Sequence, residues 1–80
     1  MPCFLIHHRH EPQQCGVAYA NFKGFASPLR HRPAFASCLD GDHDIWWMVE
    51  AVDDESARQQ LPFFVAQRST VTRVAEVQIP

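Results

Sequence analysis

Five histidines and three cysteines in a chain of 80 residues are the side chains here with metal-binding or acid–base chemistry. His8 and His10 lie two apart, a spacing that sends both rings to the same face of a strand. Cys15, Cys38 and His43 are scattered, and no Cys-x-x-Cys pair occurs. Imidazole nitrogen and thiolate suit nickel, zinc or copper better than calcium or magnesium. The candidate metal ligands are therefore His8, His10, Cys15, Cys38 and His43. The commoner fate of such residues is to be half-buried polar groups at a sheet end, with cysteine acting as a small hydrophobe. Cys15 has a second chemistry open to it. A thiol in the first turn of a helix can ionise early and become nucleophilic, with Cys38 as the resolving thiol. Asp40, Asp42 and Asp44 alternate like the start of a calcium loop but lack the later glutamate, and a hairpin turn is the simpler reading. No organic cofactor is expected.

These residues need elements to bring them together. Residues 3–10 alternate as a strand, with Phe4, Ile6, His8 and His10 on one face and Cys3, Leu5, His7 and Arg9 on the other. Residues 13–24 carry the helical stripe Cys15, Ala18, Tyr19 and Phe22, and Gly24 suits its end. A Pro-rich loop leads to a second strand at 34–39. Asp40-Gly41-Asp42 predicts a hairpin, and 43–52 predicts a third strand in which Trp46 and Trp47 point to opposite faces. A helix is expected over 54–67, kinked or restarted at Pro62, and a last strand over 70–79.

The order β-α-β-β-α-β predicts an α+β domain of ferredoxin-like topology: an antiparallel four-stranded sheet with both helices on one face. In that topology His8, His10, Cys15, Cys38 and His43 converge on one rim, while His31 falls at the other end. The open face would carry Leu5, His7, Arg9, Trp46, Met48, Glu50, Val74 and Glu76, with Arg9 near Glu50 and Glu76. That face is too apolar for bare solvent, so a second copy of the chain is expected to cover it, anchored on Trp46 and Met48.

Composition sets outer limits. Apolar residues make up 46% and charged residues 20%, which fits one globular domain and not a disordered segment. The net charge of −2 comes without a basic block, so no nucleic-acid partner is expected. No apolar run approaches the roughly 20 residues of a membrane span, and no Lys/Arg-led apolar leader opens the sequence. An odd, sparse cysteine count argues against a secreted disulfide framework. A cytoplasmic protein is the expectation.

The opening strand Phe4-Leu5-Ile6-His7-His8-Arg9, the strand ending Val49-Glu50-Ala51 and the close Val74-Ala75-Glu76-Val77-Gln78-Ile79 together resemble a family. It is a group of small actinobacterial-type ferredoxin-like proteins, classed as a domain of unknown function, that includes a nickel-binding member. The resemblance implies a homodimer of the dimeric α+β barrel kind and adds weight to metal binding. It also brings in the cofactor-free isomerases and monooxygenases of the wider group, in which a histidine here would serve as acid or base. Three functions follow as expectations: a homodimeric metal-binding protein, a small cofactor-free enzyme, or an interaction module without chemistry.

Overall fold

The computed structural model describes residues 1–80. Strand β1 spans Cys3–Arg9. A 3-10 turn at Pro12–Gln14 runs into helix α1, Cys15–Ala20. Strand β2 is only Phe35–Ala36, and a second 3-10 turn follows at Cys38–Asp40. Strand β3 spans Asp44–Glu50, helices α2 and α3 span Asp54–Arg58 and Phe63–Gln67, and strand β4 spans Ser69–Val74. The strands form one sheet in the order β2-β3-β1-β4, with every neighbouring pair antiparallel.

Alternation decides which face of the sheet is covered. Phe4, Ile6 and His8 on β1 and Ile45, Trp47 and Val49 on β3 are all buried. The five hydrophobic residues among them pack with Ala51, Ala57, Leu61 and Val65 into one core. Only ten hydrophobic residues are buried, and three of them are alanine, so the core is thin even for a small domain. On the opposite face Leu5 pairs with Met48 and His7 with Trp46. The His7 and Trp46 rings stack at 5.3 Å, whereas Met48 and Phe35 are largely exposed.

Several elements differ from expectation, each for a local reason. The helix predicted over 54–67 is two helices. Pro62 stands in extended backbone (φ −59°, ψ 153°) as the N-cap of α3, because a proline there cannot continue the hydrogen-bond ladder of α2. The last strand stops at Val74, not at 79. Its final rung is Cys3 opposite Val74, and the preceding residue on β1 is Pro2, which has no N–H to offer. Val77 and Ile79 are consequently exposed. The second strand shrinks from 34–39 to two residues, because Ser37 leaves the ladder to organise the turn that follows. Arg9 lies at the opposite end of β3 from Glu50, opposite Asp44. It binds the Asp44 carboxylate at 2.8 Å, so the expected set with Glu50 and Glu76 does not form.

Helix α2 is fixed at its start by Asp53, whose carboxylate accepts from the Ser56 N–H at 2.8 Å. That bond holds the Asp53 carboxyl below its ordinary range. A depressed folded-state pKa adds stability above the unfolded value of about 3.9, and the contribution disappears as pH falls through the folded value. Asp53→Ala should therefore lower the melting temperature by a few degrees at neutral pH, and the gap to wild type should close near pH 2. Thermal unfolding followed by circular dichroism at both pH values checks this; a gap that persists in acid would rule out the carboxylate cap as its cause.

Candidate metal centre

Two loops at one end of the sheet build the site. The first leaves β1 at Arg9. His10 remains tied to the sheet through its N–H, which donates to the His43 carbonyl at 3.1 Å. Glu11-Pro12-Gln13-Gln14 then turns tightly: the Gln14 N–H donates to the Glu11 carbonyl at 2.9 Å. The Gln14 side-chain oxygen accepts from the Glu11 N–H at 3.0 Å. The turn delivers Cys15 at the head of α1, beside the end of β1.

Ser37 organises the second loop. Its carbonyl accepts from the N–H groups of Asp40 and Asp42, at 2.9 and 3.1 Å, and its own N–H donates to the Asp44 carbonyl at 2.9 Å. Its hydroxyl accepts from the Asp44 N–H at 3.1 Å. Gly41 closes the turn in the left-handed region (φ 94°), which glycine enters without the strain a Cβ would add. Cys38 and His43 stand on either side of this turn. Asp44, next in line, is clamped by the Arg9 guanidinium and by His7 Nε2 at 2.7 Å. The two partners, His7 first, hold the Asp44 carboxyl below its usual range.

The result is a cluster of four: the ligand atoms of His10, Cys15, Cys38 and His43 all lie within 4.8 Å of one another. Cys38 Sγ is 3.7 Å from His10 Nε2. In a tetrahedral zinc site with Zn–S of about 2.3 Å and Zn–N of about 2.0 Å, neighbouring ligand atoms stand about 3.3–3.8 Å apart. The group is thus close to the size of a filled Cys2His2 site. Its donor set fits a borderline-soft divalent ion.

His8 sits one step behind the ligands. It is fully buried, and its Nδ1 faces the Val65 carbonyl at 3.2 Å. A carbonyl only accepts, so the hydrogen-bond network assigns the His8 proton to Nδ1 and leaves Nε2 as an acceptor. His10 Nδ1 lies 3.0 Å from that Nε2 and must donate to it. The relay leaves the lone pair of His10 on Nε2, the nitrogen next to Cys38. Desolvation, the largest influence on both rings, lowers the pKa of His8 and of His10, which favours the neutral imidazole that binds metal. A buried histidine that orients His10 in this way would act as an outer partner of a metal held there.

His43 Nδ1 is buried and has no hydrogen-bond partner. A buried orphan nitrogen is costly unless something binds it, and coordination through it would meet that need. The thiols point the same way. Cys15 resists ionisation, first because it hydrogen-bonds Cys38 and then because it is desolvated. The early-ionising nucleophile expected at the head of α1 is therefore not what the surroundings produce. A divalent cation between the two adjacent sulfurs would favour their thiolate forms. Tyr19, one turn along α1 from Cys15, donates its hydroxyl to Cys38 Sγ at 3.6 Å. Burial and that bond push its phenol up to about 12, so it stays a donor to the sulfur.

Of the residues singled out from sequence, His10, Cys15, Cys38 and His43 come together, and His8 touches the cluster only through His10. Two supporting residues were missed, Tyr19 and Ser37. Tyr19 was detectable from its i+4 spacing to Cys15 on one helix face. A further signal lay in the ligands: four residues separate His10 from Cys15, and four separate Cys38 from His43.

His8→Leu should keep the packing yet remove the acceptor for His10 Nδ1–H. Metal affinity should fall about 10–100-fold, measured by competition with a chromophoric chelator, while His8→Gln should recover part of the loss. Equal affinity for wild type and His8→Leu would remove His8 from the site's support. No family model, curated protein or solved structure matches the chain, so the functional reading rests on this geometry.

Proposed function

We propose that the protein binds one thiophilic divalent metal ion, zinc in preference to nickel or copper, through His10, Cys15, Cys38 and His43. The observation that carries the reading is the convergence of these four donors within 4.8 Å. All four tetrahedral positions are taken by side chains. Protein-filled zinc sites are structural, whereas catalytic ones keep a place for water or substrate. The metal on this reading ties the end of β1 to the start of β3.

The reading extends to a homodimer of ferredoxin-like subunits joined through the open sheet face. The strand order β2-β3-β1-β4 supports the topology. The exposure of Met48 beside Trp46 supports the interface. The enzyme alternative draws less support, because His8 and His10 are engaged with each other and line none of the four principal cavities.

Elemental analysis of gently purified protein, paired with cobalt titration, tests the metal. One ion per chain is expected, with intense tetrahedral d–d bands and a sulfur-to-cobalt charge-transfer band. Protein that arrives metal-free and takes up neither zinc nor cobalt would refute the proposal. Light scattering on the same sample tests the dimer.

A further inference from the structure

A second concave region lies on the helix side of the sheet and adjoins the cluster at Tyr19, which lines it and also binds Cys38. A cavity of about 440 Å³ opens between α1, the loop that follows it and β3. Its apolar lining includes Phe22, Leu29 and Trp47, with Phe22 and Trp47 ring centroids 5.9 Å apart. Three cations, Lys23, Arg30 and Arg32, also line it beside Tyr19 and His31, and no acidic residue is among the lining.

The charge is unusual for this molecule. The chain carries seven Lys and Arg residues and a net charge of −2. The others are mostly spent on structure. Arg9 binds Asp44, Arg58 donates to the carbonyls of Ala66 and Ser69, and Arg68 donates to Phe64. Lys23, Arg30 and Arg32 make no ion pair. Between the two arginines stands His31, the one non-glycine residue in the left-handed region (φ 63°). Such a conformation disfavours a side chain, and here it shapes the rim that carries the cations.

An apolar cavity rimmed by unpaired cations is complementary to an anion with an apolar body. Guanidinium groups match the planar carboxylate in particular. We propose that this cavity binds a small aromatic carboxylate, its ring against Phe22, Leu29 and Trp47 and its charge at Arg30, Arg32 and Lys23. None of the proposed ligand contacts is one of the four candidate metal donors.

The test uses three probes of one shape on the intact, metal-loaded protein: 2-naphthoate, 2-naphthylmethanol and 2-naphthylmethylammonium. Binding is followed by NMR at the indole N–H signals of Trp47, in the cavity, and Trp46, on the other sheet face. Naphthoate should shift Trp47 and leave Trp46 in place. The alcohol should bind at least about tenfold more weakly and the ammonium not measurably. Arg30→Gln/Arg32→Gln should lower naphthoate affinity at least about tenfold while leaving the alcohol's unchanged. If that variant does not fold, Lys23→Gln, at an exposed position, should lower it severalfold. Equal affinity for acid and alcohol, a response at Trp46 alone, or a folded charge variant that binds naphthoate like wild type would each overturn the proposal.

Discussion

Cys15→Ser/Cys38→Ser protein should emerge from purification without metal, and its affinity for zinc should fall by more than about a thousandfold. Serine is close to cysteine in size but does not ionise near neutrality, so it offers no anionic sulfur donor. The loss should exceed that for His8→Leu, because on the proposed reading the thiols would be ligands and His8 would only orient one. Cys3→Ser is the natural control. Cys3 lies at the far end of β1, opposite Glu50 and Val74, and its replacement should leave metal content unchanged. Inductively coupled plasma mass spectrometry on the three proteins, beside circular dichroism to confirm folding, gives the answer. A folded double variant that still carries one ion per chain would place the metal elsewhere.

Removing the metal from the wild-type protein should lower the melting temperature on the order of 20 °C. A ligand at a thousand times its dissociation constant adds about 4 kcal/mol to the folded state. In a domain of 60–100 residues each kcal/mol moves the midpoint by about 4–8 °C. The thin core leaves little else to compensate: Ala18, Ala51 and Ala57 are among its ten buried hydrophobic residues. The effect should be reversible. Chelation with a strong zinc chelator should shift the unfolding curve down, and added zinc should restore it. A curve that moves by only a degree or two would mean that the ion binds without holding the loops together.

Much of the site could be read from the sequence because topology does long-range work. Once residues 3–10 and 43–52 are read as strands, the end of one and the start of the other must meet in an antiparallel sheet. His10 and His43 follow from that, and Cys15 follows from its place at the head of a helix. The role of His8 did not follow. Period-two alternation places it on the same face as His10, but only ring orientation and the Val65 carbonyl show that its proton points away from the cluster. The partner of Arg9 was missed because a face says nothing about height along a strand; the register puts Asp44 opposite it and Glu50 six rungs away. The limit of β4 at Val74 depends on the residue just beyond its last rung with Cys3, and that residue is Pro2. The basic rim was hidden in a loop read only for its prolines, since Lys23 joins Arg30 and Arg32 around one cavity only in the folded chain.

The register of β1 on β4 also sets the order in which the molecule gives way under load. Cys3 and Val74 form the rung at one end, and His8 and Ser69 form the last paired rung at the other. Tension applied across Cys3 and Val74 would peel the two strands apart one rung at a time, at low force. The tear would end at the buried His8, whose Nδ1 faces the Val65 carbonyl and the Ser69 hydroxyl. None of the four candidate donors lies on β4, so a metal would carry no load across this seam and would brace the seam between β1 and β3 instead. The molecule would yield softly along β4 while the seam between β1 and β3 stayed riveted.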